Sequence, residues 1–182
     1  MRQVMRQGLL SLLAMWTMAS VALSQVGPPV VETRTVMATD AGHPGSVVEA
    51  AVEGQIASGY HINDHHPSLD YLIPTELKLD PSKQASVEKV VYPKGEPQKF
   101  AFADEPLLVY EGSLVVGVKL KIASGLAPGV YAIKGKLAYQ ACNDHACLPP
   151  ASVPVTLIIK VVDRSVPLRR VHADVFRNIT FN

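Results

Sequence analysis

The chain has 182 residues, of which 48% are hydrophobic, and 17 basic side chains nearly balance 16 acidic ones to give a net charge of +1. This length and composition fit one globular domain with its own core and short extensions. The near-neutral charge gives no electrostatic reason to expect nucleic acid or an anionic membrane surface as a partner.

The beginning of the chain has the pattern of an export signal. Arg2 and Arg6 supply positive charge, and an apolar stretch follows that ends in the small residues of Ala22-Leu23-Ser24. This order predicts a signal peptide at residues 1–24 that is removed on export. An uncleaved anchor is the alternative, but the apolar stretch is short for a membrane span. We therefore expect a periplasmic or secreted mature chain without a membrane span, in a compartment where disulfides persist.

The middle of the chain reads as a series of short strands. Fourteen prolines and twelve glycines are spread along the sequence, which favours turns over long helices. Period-two alternation of apolar and polar residues predicts strands with one buried face. The candidate strands are residues 46–53, 71–79, 87–92, 107–110, 114–122, 130–139 and 153–161. About seven such strands predict an all-β fold, an immunoglobulin-like antiparallel β-sandwich built as a single domain.

The two ends of this domain have a different character. Residues 25–45 are rich in glycine and proline, and we expect a flexible lead-in there. The strand pattern begins at residue 46 and ends at residue 162. Residues 163–182 carry four arginines among scattered apolar residues, which predicts a solvated C-terminal tail. An added edge strand and a docking segment are the alternatives for this tail.

The two cysteines, Cys142 and Cys147, are the most informative residues, because they flank a short loop between the two clearest strands. No third cysteine is present, so an oxidised pair bonds internally or to a partner protein. The hairpin arms bring the two cysteines within disulfide reach. A disulfide that closes a loop of about six residues stabilises the fold by roughly 2 kcal/mol, near the low end of the usual range. Redox chemistry therefore explains the pair more easily than a structural role does.

Two polar residues lie inside the cysteine loop. A protonated His145 would lower the pKa of a nearby thiol, or the imidazole would transfer protons during exchange. Asp144 is adjacent to it. A plain polar loop is the alternative, and we favour it for His145.

A second polar cluster contains His61, Asp64, His65 and His66. Imidazoles and a carboxylate are ligands for zinc or copper. Adjacent residues of an extended segment point in opposite directions, however, and no helical pair of histidines is evident. We therefore predict a surface loop and no metal site.

Two aromatic residues, Phe100 and Phe102, alternate in the segment that precedes Pro106. Aromatic residues at alternate positions usually belong to a core. An aromatic residue in a loop before a proline is also suited to cover a reactive site.

Four motifs in order carry a resemblance to a known family. They are Gly59-Tyr60-His61-Ile62-Asn63, Asp70-Tyr71-Leu72-Ile73-Pro74-Thr75, Phe102-Ala103-Asp104-Glu105-Pro106, and the cysteine loop from Tyr139 to Pro150. Over residues 46–162 the chain resembles the N-terminal periplasmic domain of the thiol:disulfide interchange protein DsbD. Free-standing members of that family are known as disulfide bond corrector proteins.

The resemblance implies an immunoglobulin-like sandwich with the cysteines near one end of a sheet. It implies that Cys147 forms the mixed disulfide with partners and that Cys142 resolves it. An aromatic cap shields the pair in the family, and Phe102 or Phe100 is the candidate here. Tyr60 and His61 match a position near the family's site.

The function implied is a periplasmic thiol-disulfide exchange module, a thiol-disulfide oxidoreductase that needs no cofactor beyond its cysteine pair. The implied partners are periplasmic thioredoxin-like or DsbC-like oxidoreductases. Full-length relatives continue into a membrane domain and a thioredoxin-like domain, and neither is evident in this sequence. We therefore expect a separately encoded membrane electron relay to supply the electrons. The alternative is a non-catalytic secreted immunoglobulin-like binding module with a structural disulfide. A metal chaperone that uses histidines and thiols is a third hypothesis.

Overall fold

The computed structural model describes residues 29–100 and 103–181, and strands make up about half of them. In chain order the elements are β1 (Val31–Met37), β2 (Val47–Ile56), β3 (His61–Asn63), β4 (Glu76–Leu79), β5 (Ala85–Val91), β6 (Glu96–Gln98), β7 (Leu107–Glu111), β8 (Ser113–Ile122), β9 (Gly129–Tyr139), β10 (Ala141–Cys142), β11 (Ala151–Val161) and the helix α1 (Ala173–Phe176). The predicted all-β class is confirmed. Within these residues no helix is long and apolar enough to cross a membrane. The predicted signal peptide lies outside them.

The strands form three antiparallel sheets. Their orders are β1-β2-β8-β5, β11-β9-β4 and β10-β3-β7-β6. Side chains of the first two sheets meet in one large apolar cluster, which we call the main core. The predicted immunoglobulin-like sandwich is therefore confirmed. The third sheet is small and carries the first cysteine on its edge strand β10.

The main core follows directly from alternation along the long strands. In β11 every second side chain from Val153 to Val161 is buried, and the residues between them face outward. On the neighbouring strand β9, Ile133 and Leu137 are 2% and 0% exposed. Complete burial of such side chains contributes about 1.5–3 kcal/mol each, so this double layer is the main source of stability.

The predicted flexible lead-in at residues 25–45 is wrong for the part that forms a strand. Residues Val31–Met37 form β1, which pairs with β2 along its whole length. The local sequence contains four β-branched residues and alternates valine or threonine with charged side chains, which favours a strand. Prolines and glycines on either side of the segment obscured this pattern.

Most side chains of residues 168–181 are exposed, as predicted for a solvated tail, but the segment packs against the domain through its apolar residues. We call this segment the C-terminal strap. Its Phe176 is 8% exposed and packs in a cluster with Val36, Ala38 and Ala51 on the outer side of the first sheet. A side chain at Gly117 would collide with the strap, because a Cβ there would lie 2.5 Å from Ile179 Cγ2.

Only the end of the predicted strand at residues 71–79 is a strand, namely β4. The preceding residues are held by side-chain hydrogen bonds instead. Asn63 Nδ2 donates to the Ile73 carbonyl at 2.9 Å, and Thr75 Oγ1 donates to the Asn63 carbonyl at 2.6 Å. These bonds attach the segment to β3, so the connection passes close to the small sheet.

Candidate thiol-disulfide site

The two faces of the small sheet have different surroundings. Strand β3 lies between β10 and β7, with Ile62 opposite both Ala141 and Tyr110. These three side chains belong to the main core. Since successive residues of a strand point to opposite faces, the neighbouring His61 and Cys142 point away from the main core.

The cysteines form the disulfide that the sequence allowed. Cys142 and Cys147 are joined across two antiparallel arms, with a Cα–Cα distance of 3.9 Å. Two backbone bonds close the arms, from Leu148 N to the Ala141 carbonyl at 2.8 Å and from Asn143 N to the Ala146 carbonyl at 3.0 Å. The expectation that the hairpin arms bring the two sulfurs together is therefore confirmed.

Asn143 organises the turn between the cysteines. Its Oδ1 accepts hydrogen bonds from the backbone N–H groups of His145 and Ala146, both at 2.9 Å. This is the way in which asparagine side chains stabilise tight turns. The loop therefore has a defined conformation that keeps Cys147 at the surface.

The two cysteines differ sharply in burial. Cys142 is 1% exposed, whereas Cys147 belongs to the exposed residues of the loop. Thiol-disulfide exchange requires an attacking thiolate to reach one sulfur of the bond. Of the two residues, Cys147 is the one that is open to solvent.

His61 lies directly beside the buried cysteine. The register pairs His61 with Cys142, and the imidazole is 2% exposed. Phe100 stacks on it with ring centroids 4.2 Å apart and an angle of 28° between the planes. Among the residues that the structure describes, His61 Nε2 has no hydrogen-bond partner.

The electrostatic environment of His61 favours the neutral imidazole. Burial lowers the pKa of His61 below its ordinary value of 6.5, because the charged form loses its hydration. The carboxylates of Glu111 and Asp144 act in the opposite direction and raise this pKa in part. Asp144 thus influences the site through its charge, from an exposed position in the cysteine loop.

The other predicted modulators lie at varying distances from this centre. His145 is exposed in the loop. Tyr60 is partly buried against the main core, on the other side of the small sheet from the cysteines. Of the two candidate cap residues, Phe100 is 7% exposed and covers His61. Phe102 lies outside the described residues.

The polar cluster after β3 is held by contacts within the fold. His65 stacks on Tyr92 with centroids 3.6 Å apart, and its Nδ1 lies 2.9 Å from the Thr75 carbonyl. Asp64 accepts hydrogen bonds from the backbone N–H groups of His66 and Gly95, both at 2.6 Å. Within residues 29–100 and 103–181 no group of three or more His, Cys, Asp or Glu side chains is arranged to hold a metal ion.

Sequence reasoning missed two residues of the site. Glu111 lies opposite His61 on β7, and only the strand register reveals this neighbour. Asn143 has a local signal that was available, since asparagine at the start of a short loop is typical of a side-chain-stabilised turn.

The fold and the cysteine pair together define a class of protein, an immunoglobulin-like domain with a disulfide at the end of a hairpin. The sequence profile of the family described as thiol:disulfide interchange protein DsbD, N-terminal, matches residues 28–158, and the chain belongs to this family. Membership and the bonded cysteines together indicate a thiol-disulfide exchange module.

Comparison with solved structures finds similar domains. The chain is similar to the DsbD N-terminal domain of Neisseria meningitidis in its reduced form, with 20% identity, coverage of 80% of this chain and 94% of that chain, and a TM-score of 0.45. It is similar to the N-terminal periplasmic domain of ScsB from Proteus mirabilis, with 18% identity, coverage of 73% of this chain and 47% of that chain, and a TM-score of 0.49. Comparison with curated protein sequences gives no significant match.

Proposed function

We propose that the chain is a periplasmic electron-transfer module that passes reducing equivalents to or from partner oxidoreductases through Cys142 and Cys147. One observation carries the proposal: an exposed cysteine is bonded to a fully buried one in a member of a thiol:disulfide interchange family. This asymmetry supports Cys147 as the sulfur that partners attack and Cys142 as the resolving sulfur. The predicted signal peptide, residues 1–24, would direct export of the module to the periplasm and be removed there.

Reduction of the Cys142–Cys147 disulfide, which we call loading, begins with a donor thiolate. The thiolate attacks Cys147 Sγ, the bond between the two cysteines breaks, and Cys142 leaves as a thiolate that takes up a proton. A second thiol of the donor then loses its proton and attacks the donor sulfur of the mixed disulfide. Cys147 leaves as a thiolate, and the donor is oxidised to a disulfide. Two electrons have then moved to the Cys142–Cys147 pair, which becomes a dithiol.

Reduction of a client disulfide by the dithiol, which we call delivery, follows the reverse sequence. The Cys147 thiolate attacks a client disulfide and forms a mixed disulfide, while the first client sulfur leaves as a thiolate. Cys142 loses its proton and attacks Cys147 Sγ, which restores the intramolecular bond and releases the second client sulfur. The client gains the two electrons that the pair loses.

The resemblance to the DsbD domain supports the kinds of partner proposed. Clients are thioredoxin-like or DsbC-like oxidoreductases of the periplasm, and a membrane electron relay supplies the electrons. The proposed cap is Phe100, and its burial against His61 beside Cys142 supports this role. Phe102 remains the second candidate for this cap.

Trapping of mixed disulfides tests the proposal. A Cys142→Ala variant keeps the exposed thiol and lacks the resolving one, so its covalent complexes with periplasmic oxidoreductases should accumulate. The matched control is Cys147→Ala, whose remaining thiol is buried and should capture far less. Non-reducing electrophoresis followed by mass spectrometry identifies the complexes.

A redox titration separates the proposal from the structural-disulfide alternative. Exchange with glutathione buffers at a potential above about −300 mV is expected of a reactive pair. Reduction should leave the domain folded, because closing so short a loop contributes only about 2 kcal/mol. A potential below this value, together with no capture by either variant, would mean that the disulfide only pins the hairpin.

A further inference from the structure

Four side chains lie in one row across the small sheet. Strand register pairs Glu111 with His61 and His61 with Cys142, and a bridge pairs Cys142 with Cys147. Residues directly opposite each other on antiparallel strands project to the same face, with Cβ atoms on the order of 5 Å apart. The row therefore runs from a carboxylate to an imidazole, then to the buried sulfur, and ends at the exposed sulfur.

The imidazole in this row has a free nitrogen in a buried position. His61 is 2% exposed, and its Nε2 has no hydrogen-bond partner among the described residues. Buried polar atoms in folded proteins are nearly always hydrogen-bonded, and an exception calls for an explanation such as a catalytic role. Cys142 lies directly opposite His61 on β10, and its sulfur is bonded here but becomes a thiol or thiolate during exchange.

We propose that His61 is the proton-transfer residue for Cys142, and that Glu111 is a positioning residue that stabilises the charged imidazolium. This role deepens the proposed exchange function and depends on it. It assigns the two cysteines different proton chemistry. Cys147 exchanges protons with solvent because it is exposed, whereas Cys142 is buried and exchanges them with His61.

In delivery, His61 accepts the proton that Cys142 loses. With a client bound to Cys147, the Cys142 thiol transfers its proton to His61 Nε2 as its sulfur attacks Cys147 Sγ. The bond between Cys142 and Cys147 forms, the bond from Cys147 to the client breaks, and the client sulfur leaves with the electron pair. The imidazolium then returns its proton to the departing thiolate or to water. In loading, the imidazolium protonates Cys142 as it leaves.

The surroundings of His61 suit both proton acceptance and proton donation. Burial favours the neutral imidazole, which is the form that accepts a proton. Glu111 on β7 and Asp144 in the cysteine loop favour the charged form, which is the product of that transfer. Phe100 carries no charge, and Cys142 carries none while it is bonded. The two carboxylates thus offset part of the cost of charging a buried ring.

The other histidine near the cysteines is less suited to this role. His145 is exposed in the turn, and the row across the sheet does not include it. Its position in the loop makes it a matched control, since it is nearer to both cysteines in sequence than His61 is. A sequence-based choice would favour His145, whereas the register favours His61.

The test follows the reaction of the reduced full-length protein with a chromogenic aromatic disulfide, dithiobis-nitrobenzoate. The first released thiolate reports attack by Cys147, and the second reports resolution by Cys142. In the natural protein we expect the second phase to rise with pH through an ionisation at or below about pH 6.5 and then to level off. In His61→Gln we expect this phase to be slowed about 100-fold near pH 7, since general base catalysis typically contributes at least that much.

The remaining pH dependence gives the readout that a purely structural role would not produce. In His61→Gln the second phase should keep rising to about pH 8.5 or above, where the thiol itself ionises. The first phase should be unchanged. In Glu111→Gln the midpoint of the second phase should move to lower pH, because a carboxylate that raises the pKa of His61 has been removed. His145→Gln should match the natural protein in both phases.

The outcomes separate the two proposals. If the natural protein shows no second phase, the exchange function itself fails. If it shows both phases and His61→Gln has the same pH profile, only the role of His61 is overturned. Circular dichroism and the first-phase rate check that the variant is folded. If His61→Gln does not fold, Glu111→Gln serves as the test, because Glu111 is exposed and its substitution should leave the domain folded. An unchanged midpoint of the second phase in that variant overturns the proposal.

Discussion

The two faces of strand β3 bury different kinds of side chain within three residues. Ile62 is 0% exposed and joins the main core, together with Tyr110 and Ala141 opposite it. His61 is almost equally buried, but it lies beside Cys142 on the other face. The comparison shows how the fold positions the chemistry. Because strand alternation has a period of two, fixing Ile62 in the core also fixes His61 against the cysteine.

The covers over these faces also differ. The main core lies between the two large sheets, whereas the cysteine face is flanked by a small cluster of Leu72, Phe100, Leu107 and Val109. Water enters a large closed apolar core less easily than it enters a small apolar cluster beside a loop. We therefore expect substitutions on the first face to affect stability and substitutions on the second to affect the ionisation of His61.

The largest effect should come from the core face. We expect Ile62→Ala to lower the free energy of unfolding by about 2–5 kcal/mol, because it removes buried methyl groups and leaves a cavity. Urea unfolding followed by circular dichroism measures this loss. Val130→Ala is the control, since Val130 is 69% exposed and its truncation should change stability by less than about 0.5 kcal/mol. Equal losses in both variants would contradict the assignment of β3 to the core.

A smaller effect should come from the cover of the cysteine face. We expect Phe100→Leu to cost about 1 kcal/mol for the lost ring stacking. Leucine covers the imidazole less completely, so water should reach it and the pKa of His61 should rise toward its ordinary value of 6.5. Titration of the imidazole protons by NMR measures the shift.

Phe176→Leu provides the matched control for this change. Phe176 is 8% exposed, close to the 7% of Phe100, but it packs in the C-terminal strap. It should lower stability without moving the pKa of His61. An identical titration curve for Phe100→Leu and the natural protein would show that the aromatic ring does not keep water from the site.

Local pattern was sufficient to predict the long strands and the cysteine hairpin. Buried and exposed side chains alternate along the eleven residues of β9 and of β11. The short connection between these strands restricts where the two cysteines can lie. The pattern failed where the determining contacts are distant in sequence. Strand β1 and the strap are held by β2 and β8, and nothing in their own short sequences reports those partners.

The chemistry of the site was predictable in part for the same reason. Cys142, Cys147 and Phe100 were recognisable as a thiol pair and an aromatic neighbour. Glu111 was not recognisable, because it becomes a neighbour of His61 only through the pairing of β3 with β7. Strand β10 has two residues, too few for any periodic signal, yet its register places Cys142 opposite His61.

The smallest effect is the share of the pH dependence of stability that comes from His61. Its pKa is lowered in the folded protein and returns to about 6.5 on unfolding, so between these two values the unfolded chain binds the additional proton. Stability from this source is complete above about pH 6.5 and is lost as the pH falls through the folded value. Other groups contribute at acidic pH as well, including Asp40, whose pKa is lowered by its contacts with Arg169.

The difference between the natural protein and His61→Gln isolates this contribution. Because Asp40 and Arg169 are the same in both, their share cancels when the two unfolding curves are subtracted. We expect urea unfolding to show a difference in stability that is constant above about pH 6.5 and moves in favour of the glutamine variant as the pH falls. A difference that stays constant throughout would mean that the imidazole ionises equally well in both states. The burial of His61 beside Cys142 would then have no electrostatic consequence, and the two faces of β3 would differ only in shape.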